Sequence, residues 1–238
     1  MDRRTGKFRW YRKDGKTNSL SGNNVKSLYH DRENDILWVG THIEGLNRFD
    51  IRSGKFRAYR SVPGDISTLP SDIIRDILPY GDSLIIATEN GACTFDCTSG
   101  KCRRLFTGME EGALIKKVTD LLMDANGNIW LATMGEGVFK YRIESGELQR
   151  YVHDEDMPGS ISNNSVYNIF QDSMGNLWFS TSGSGMDRLS PGSEVFTNFD
   201  MARNSLVSDC VYQVCESPFS GNLLVITDSG FSIFNYAT

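Results

Sequence analysis

Five segments of the sequence that read as β-strands share a polar residue two positions after their first residue. These positions hold Ser27, Asp76, Asp120, Asn168 and Gln213, and the positions just before them hold Lys26, Arg75, Thr119, Tyr167 and Tyr212. Carboxylates and amides bind hydroxyl groups through hydrogen bonds, and aromatic rings pack against flat ligand faces. The pattern therefore predicts a site for a sugar or another polyol. The alternative interpretation is that these polar groups only hydrate a channel or satisfy buried backbone groups.

A second group of candidates lies in the loops that follow the second strand of the same patterns. His42, Glu44 and Glu136 are the members of this group that we select as ligand-binding candidates. A histidine beside a carboxylate is also the combination that a lyase or hydrolase uses as acid and base. However, the sequence contains no G-x-S-x-G elbow, phosphate-binding loop or H-E-x-x-H motif. We therefore expect a binding protein with no catalytic residues and no cofactor, and catalysis is the less favoured alternative.

Metal binding is a weaker interpretation of the remaining polar residues. With three histidines and no paired C-x-x-C motifs among the five cysteines, the sequence does not predict a zinc site. Residues 124–128 and 172–176 have the alternating oxygens of a calcium loop but lack its final glutamate, so hairpin turns are expected. The cysteines are expected to be buried thiols, and a cross-link between Cys93 and Cys102 is the alternative.

The elements that must position these side chains repeat along the chain. The segment 127–133, Gly-Asn-Ile-Trp-Leu-Ala-Thr, has counterparts that end at threonines 45 to 48 residues apart, namely Thr41, Thr88, Thr133, Thr181 and Thr227. A period this regular indicates repeated structural units. Three copies carry a tryptophan in mid-strand, at Trp38, Trp130 and Trp178. Their strands are apolar on both sides, so these tryptophans are expected to pack the interior rather than stack on a sugar.

Each period contains four short strand signals, separated by turns rich in glycine, asparagine and serine. Four-stranded antiparallel units of this length are typical of β-propeller blades. We therefore predict an all-β fold, a single five-bladed propeller, with blades at 23–60, 72–106, 116–152, 164–200 and 209–238. Residues 5–12 resemble a fourth strand and are expected to complete the last blade by pairing with 230–234, which covers an open edge. An arc cut from a larger propeller is the alternative.

Charge and hydropathy limit the partners of the chain. Its 238 residues include 25 basic and 30 acidic side chains, a formal net charge of −5, without blocks of like charge. Nucleic acids and anionic membranes are therefore not expected partners. No apolar run approaches the ~18 residues that span a bilayer, and no signal peptide is apparent. Because the first residues align with the middle of a repeat, we expect a piece excised from a longer protein.

Taken together, these motifs resemble the two-component regulator propeller repeat. The pattern is found in Ser19-Leu-Ser-Gly-Asn-Asn-Val25, Ile36-Leu-Trp-Val-Gly-Thr41, Gly45-Leu-Asn-Arg-Phe-Asp50 and Gly54-Lys-Phe-Arg-Ala-Tyr59. It recurs along essentially the whole chain. In that family such repeats form the extracytoplasmic sensor of membrane histidine kinases, notably hybrid two-component systems of gut Bacteroidetes that respond to breakdown products of complex glycans.

The resemblance implies a periplasmic sensor region of a membrane-anchored protein, which binds an oligosaccharide or a partner domain and catalyses nothing. The expected partners are that oligosaccharide and the other domains of the parent kinase. The ligand-binding candidates are Lys26, Arg75, Asp76, Asp120, Tyr167, Asn168, Tyr212, Gln213, His42, Glu44 and Glu136. The alternative is a scaffold that docks another protein or a second copy of this chain as a homodimer, through outer-strand aromatic residues such as Trp10 and Tyr59.

Overall fold

The computed structural model describes residues 5–16, 18–204 and 206–235. Within these residues the regular structure is almost entirely β-strand, with a 3-10 turn at Glu111–Leu114 and one short helix, α1, at Met201–Asn204. The strands form five antiparallel sheets in which sequence neighbours are also spatial neighbours. None of the described helices has the length and apolar character needed to cross a membrane.

The chain divides into two compact units, and the first comprises Met1–Glu89 and Cys93–Arg104. It holds two four-stranded sheets. The first sheet consists of β1 (Val25–Asp31), β2 (Ile36–Thr41), β3 (Leu46–Asp50) and β4 (Lys55–Tyr59). The second consists of β5 (Ile74–Tyr80), β6 (Ser83–Thr88), β7 (Gly91–Asp96) and β8 (Cys102–Arg104).

The second unit comprises Asn90–Ala92 and Leu105–Thr238 and holds three sheets. The first consists of β9 (Val118–Met123), β10 (Ile129–Thr133), β11 (Val138–Arg142) and β12 (Glu147–Tyr151). The next consists of β13 (Val166–Gln171), β14 (Leu177–Thr181), β15 (Met186–Leu189) and β16 (Phe196–Phe199). The last consists of β17 (Val211–Glu216), β18 (Leu223–Thr227) and β19 (Gly230–Phe234). Each of the five sheets lies inside one of the ranges that the repeat period defines.

The predicted pairing of residues 5–12 with the last sheet is wrong. In the described part of this segment no strand forms, and the sheet of β17 to β19 has three strands. The Tyr11 ring instead packs against Phe49 and Phe56 of the first sheet, at centroid distances of 4.7 and 5.9 Å. Lys13 donates its backbone N–H to the Asn23 side chain at 2.7 Å. Aromatic packing on a nearby sheet therefore outweighs the strand propensity of this segment.

The repeated threonine closes the turn between the second and third strands of a sheet. Thr41 Oγ1 donates to the Gly45 carbonyl at 2.8 Å, and the threonines that end β10, β14 and β18 make the equivalent bond. Gly45 has a φ of +73°, and a Cβ at this position would overlap the Tyr59 carbonyl oxygen. The turn therefore requires glycine both for its backbone conformation and for the close approach of β4.

A polar residue two positions before a first strand holds the preceding loop in place. In four of the five sheets an asparagine or aspartate accepts a backbone N–H from a residue 8 to 11 positions earlier, at 2.7 Å. The acceptors are Asn23, Asp72, Asn164 and Asp209, and the donors are Lys13, Ser61, His153 and Met201. Local side-chain bonds of this kind fix the loops that lead into each new sheet.

Tryptophans of the second strands occupy the cores of the two units. Trp38, Trp130 and Trp178 are at most 1% exposed. Within the first unit Trp38 lies 5.4 Å from the ring of Phe95 in the neighbouring sheet, and within the second unit Trp130 lies 5.6 Å from Phe179. Burying such large apolar surfaces between sheets is a main source of their cohesion. The prediction that these tryptophans pack the interior is confirmed.

The hairpin turns after β9 and β13 are each closed by an aspartate. Asp124 accepts the Asn128 backbone N–H at 2.9 Å and the Trp130 indole N–H at 2.8 Å. Asp172 makes the corresponding bonds, including one to Trp178 at 2.7 Å. Burial raises the pKa of Asp124, but its hydrogen bonds from Asn128 and Trp130 bring the pKa below its ordinary value. The oxygens of these carboxylates therefore serve the hairpin, as the turn interpretation predicts.

The five cysteines are free thiols, of which Cys93 and Cys102 are buried. The hydrogen bond between these two side chains, followed by burial, raises the pKa of Cys93 well above its ordinary value. The expectation of buried thiols is confirmed for this pair, whereas Cys97, Cys210 and Cys215 are only half-buried. Among the described residues no three side chains of His, Cys, Asp and Glu are grouped so that they could hold a metal ion.

Candidate functional site

In every sheet the first strand contains a β-bulge at the position of the long side chains found in the sequence. Its pairing with the second strand skips one residue in each case, and the skipped residues are Lys26, Arg75, Thr119, Tyr167 and Tyr212. A bulge leaves the extra residue outside the ladder and redirects its side chain. The bulges therefore determine where the first-strand candidates point.

In the second unit, two of the polar candidates join neighbouring first strands. Asp120 Oδ2 accepts hydrogen bonds from the Asn168 side chain and from the Ile169 backbone N–H, both at 2.7 Å. Asn168 Oδ1 in turn accepts the Val214 backbone N–H at 3.1 Å. Each of these side chains thus accepts a backbone N–H from the first strand of the following sheet. These bonds reduce the number of lone pairs that a ligand can use.

Aromatic side chains form the exposed part of the same end of the second unit. The rings of Tyr167 and Tyr212 are 5.5 Å apart at an interplanar angle of 58°, and Tyr212 is 47% exposed. The Tyr167 hydroxyl donates to Ser182 Oγ at 3.1 Å. The neighbouring Cys210 thiol raises the pKa of Tyr212 further above neutral pH. Gln213 is exposed beside Tyr212.

Glu136, the loop candidate of the second unit, is engaged by a single arginine. Its carboxylate pairs with Arg150 Nη2 at 2.6 Å, and its carbonyl accepts the Arg150 Nε–H at 2.9 Å. The two bonds hold Glu136 in the turn between β10 and β11.

The first-strand candidates of the first unit are mostly charged. Lys26 is exposed and Asp76 is half-buried. Arg75 Nη2 donates to Glu89 at 2.7 Å, whereas Arg75 Nε is buried and has no hydrogen-bond partner among the described residues. Ser27 Oγ, on β1 of the other sheet of this unit, is also buried and without a hydrogen-bond partner among the described residues. Such unpaired groups at a strand end can form hydrogen bonds with a polar ligand.

His42 and Glu44 lie at the same end of the first unit. Within the described residues no hydrogen bond joins them: the His42 backbone donates to the Asn24 carbonyl at 2.8 Å, and its buried Nδ1 has no partner. The Glu44 carboxylate is held by Arg60 and Lys13. Hydrogen bonding to Arg60 lowers the pKa of Glu44. A carboxylate held by two cations is a weak general base, so this pair is poorly suited to acid-base catalysis.

A cleft that was not predicted from the sequence lies at the other end of the strands of the first unit. It has a volume of about 920 Å³ and is lined by the turn after β1, by side chains of β3 and β4, and by residues 81–84 and 97–98. The sequence does contain a signal for it. Asp31 precedes Trp38 by seven residues, while Asp124 precedes Trp130 by six, and this difference makes the turn after β1 one residue longer than the turn of Asp124.

Two family models match the chain. The model described as SMP-30/Gluconolactonase/LRE-like region matches residues 27–170, which is more than half of the chain. The model described as two component regulator propeller matches residues 160–183. No curated protein sequence matches the chain significantly.

Several solved structures share the fold. Two extracellular domains described as parts of two component systems of B. thetaiotaomicron superpose with TM-scores of 0.78 and 0.72, at 19% and 20% identity over 95% of this chain. PorZ, a surface component of the type-IX secretion system of Porphyromonas gingivalis, has a TM-score of 0.70 at 19% identity, over 94% of this chain and 34% of its own. This chain spans 29% of the length of the first two. The predicted all-β propeller architecture is confirmed.

Proposed function

The chain belongs to the SMP-30/gluconolactonase/LRE-like family and carries a two-component regulator propeller repeat, and from this premise we propose that it is the non-catalytic, ligand-binding part of a two-component sensor. Its location is the periplasm, within a membrane-anchored parent protein whose other domains are its partners. Its ligand is an oligosaccharide, bound at the end of the strands where the bulges lie.

The observation that carries this proposal is the pair of tyrosines in the second unit. Tyr167 and Tyr212 both lie on bulges, their rings are neighbours, and Tyr212 is half exposed. An exposed aromatic ring with hydrogen-bonding groups around it is suited to a sugar, which presents an apolar ring face and a rim of hydroxyls. The exposed Gln213 amide supplies both a donor and an acceptor for such hydroxyls.

In the first unit the unpaired atoms at the corresponding strand ends support the same function. Arg75 Nε, Ser27 Oγ and His42 Nδ1 are buried without partners among the described residues. Lys26 is exposed beside them. Hydroxyl groups of a ligand can both donate and accept, and therefore satisfy such a mixed set.

The ion pairs of the two glutamate candidates support binding without catalysis. Glu44 is held by Arg60 and Lys13, and the hydrogen bond from Arg60 lowers its pKa, which makes it a weak general base. Glu136 is held by Arg150. The test is incubation with gluconolactone and with any oligosaccharide that binds. We expect no turnover; hydrolysis that is lost in His42→Ala would replace the sensor proposal with an enzymatic one.

Ligand binding is tested with a panel of plant and host oligosaccharides, first by thermal stabilisation and then by titration calorimetry of the compounds that stabilise. Tyr212→Ala is expected to weaken binding by about tenfold, which corresponds to ~1.4 kcal/mol. Tyr80→Ala, a change of a similarly exposed tyrosine elsewhere, is the control and should bind as the original chain does. Unchanged titration heats in Tyr212→Ala would remove this site from the proposal.

A second candidate function is docking of another domain or of a second copy, and the last sheet favours it. Ile226, Phe231 and Ile233 lie on one face of this sheet and are 43%, 70% and 62% exposed. Exposed apolar groups of this extent on a monomer mark contact surfaces. If the chain dimerises through this face, the mass measured by light scattering rises with concentration, and Phe231→Ser keeps the chain monomeric.

A further inference from the structure

The cleft of the first unit lies apart from the residues invoked above. Its volume is about 920 Å³, and it opens where β1 and β2 meet their connecting turn. Strand β1 runs from Val25, beside the bulge, to Asp31, beside the cleft. At ~3.3 Å per residue, the two ends of this strand are about 20 Å apart. A ligand in the cleft therefore does not use the bulge end of the sheet.

One face of the first sheet presents a row of four side chains to the cleft. In the register of β1 to β4 this row is Tyr29, Trp38, Arg48 and Arg57, and all four line the cleft. The Arg57 guanidinium lies over the Tyr59 ring at 4.9 Å, and no ion pair joins it to a carboxylate among the described residues. Arg48 is 3.9 Å from a carboxylate of its own strand. Guanidinium groups without a close ion-pair partner are suited to bind the carboxylate of a ligand.

The indole of Trp38 lacks the hydrogen bond that its counterparts make. Trp130 donates its Nε1–H to Asp124 at 2.8 Å, and Trp178 donates to Asp172 at 2.7 Å. Trp38 is equally buried, at 1% exposure, but its Nε1 has no partner among the described residues. A buried donor without an acceptor costs free energy, and an acceptor supplied by a ligand would recover it.

A longer turn after β1 explains the missing partner. The paired segment from β1 to β2 contains one residue more than that from β9 to β10. Asp31 is the register counterpart of Asp124, but its carboxylate accepts the backbone and side-chain N–H groups of Asn34, at 3.1 and 2.8 Å. The first sheet therefore has a tryptophan without its carboxylate, and the cleft opens beside that tryptophan.

We propose that this cleft binds a small organic carboxylate. The ligand carboxylate accepts the hydrogen bond of Trp38 Nε1, in the role that Asp124 has for Trp130. Arg48 and Arg57, on the adjoining strands, neutralise its charge. The ligand thus supplies to Trp38 the carboxylate acceptor that Asp124 supplies to Trp130.

The other walls of the cleft define the rest of the ligand. Asp31, Glu33 and Asp82 line the turns, and their carboxylates favour hydroxyl or ammonium donors on the ligand. The rings of Tyr29 and Tyr59 favour a flat apolar body. The shared chemistry is a carboxylate next to hydrogen-bond donors, which a sugar acid and an amino acid both carry.

The indole region of a ¹H–¹⁵N NMR spectrum tests the proposal directly, because the chain has four tryptophans. D-Galacturonate and L-phenylalanine are titrated separately into the labelled chain, each beside its own methyl ester. Trp38→Phe identifies the Trp38 indole peak. We expect at least one acid to move this peak downfield, toward those of Trp130 and Trp178, and the esters to leave it in place. The acid that acts distinguishes the two sources of the carboxylate.

Arginine variants give a second measurement. Arg57→Gln is expected to weaken the effective acid by about tenfold or more, since it removes one charge-assisted pair. Arg203→Gln, a change of an exposed arginine of the second unit, should leave affinity unaltered. The proposal is overturned if neither acid moves the Trp38 peak at tens of millimolar, if the esters move it equally, or if Arg57→Gln binds as before. None of these results depends on Tyr167 or Tyr212, so they leave the sensor proposal to its own test.

Discussion

Asp187→Asn is expected to remove one component of the pH dependence of folding stability. Asp187 is fully buried on β15, where burial raises its pKa from 3.8 to about 6. Its Oδ2 accepts the backbone N–H and the hydroxyl of Ser162, at 3.0 and 2.7 Å. Asn47 has the corresponding position on β3, where its side chain accepts the Ser21 backbone N–H and donates to the Ser21 hydroxyl. An asparagine therefore fits this environment.

The sign of the effect follows from the direction of the shift. Because the folded chain binds the Asp187 proton more tightly than the unfolded chain does, protonation stabilises the fold. This stabilisation is complete below pH 3.8 and is lost as the pH rises through about 6. A shift of about two units at ~1.36 kcal/mol per unit gives roughly 2–3 kcal/mol between pH 4 and pH 7. The ionised carboxylate thus weakens the fold at neutral pH.

The assay is urea unfolding of both chains from pH 4 to pH 8. The free energy of unfolding of Asp187→Asn, relative to the original chain, should rise by roughly 2–3 kcal/mol between pH 4 and pH 7. The variant loses the bond that Asn198 donates to Asp187 at 3.2 Å, and this constant cost leaves the change with pH unaffected. Asp156→Asn, at an exposed acid, is the control and should show no such rise. A difference that stays the same at pH 4 and pH 7 would refute the assigned cause.

Two further predictions concern the turns of the second unit. Asp124→Asn weakens the acceptor of the Trp130 indole N–H and of the turn, and it is expected to lower the free energy of urea unfolding by about 1–3 kcal/mol; an unchanged value would show that the neutral amide serves equally well. Gly137→Ala places a Cβ against the Tyr151 carbonyl at a φ of +78°, whereas Gly146→Ala has a similar φ and open space. The first should lower stability by more than about 2 kcal/mol and the second by only ~1, and equal losses would contradict the steric argument.

Much of the architecture could be predicted from the repeat period, because the residues that recur with this period form local hydrogen-bonded pairs. A threonine and a glycine four residues apart close a turn, as Thr41 and Gly45 do, and an asparagine or aspartate before a strand holds the preceding loop, as Asn164 does. These bonds are local, so their residues recur at fixed spacing in the sequence. The interior position of the tryptophans followed from the apolar residues on both sides of them.

The N-terminal segment shows where the pattern stops being sufficient. Residues 5–12 carry the glycine and aromatic spacing of a fourth strand, but this spacing does not specify which edge the segment approaches. Contacts of Tyr11 with Phe49 and Phe56 decide its place, and such contacts depend on which rings the folded sheet leaves accessible.

The candidate site could be predicted from the sequence only in part. The bulges do leave a signal in the sequence, but the two-residue alternation expected of a strand obscures it. Strands alternate every two residues, yet the buried residues Val166 and Ile169 are three apart. An extra residue between them is a bulge. The bonds that Asp120 makes to the next strand do not appear in any single repeat, because they join residues from two repeats.

The most direct test of the central claim is a chemical-shift map of the chain with the oligosaccharide that stabilises it most. We expect the largest changes on Tyr167, Tyr212 and Gln213. The claim is contradicted if no oligosaccharide of the panel binds, or if the changes fall only on the outer strands and leave these three residues unmoved.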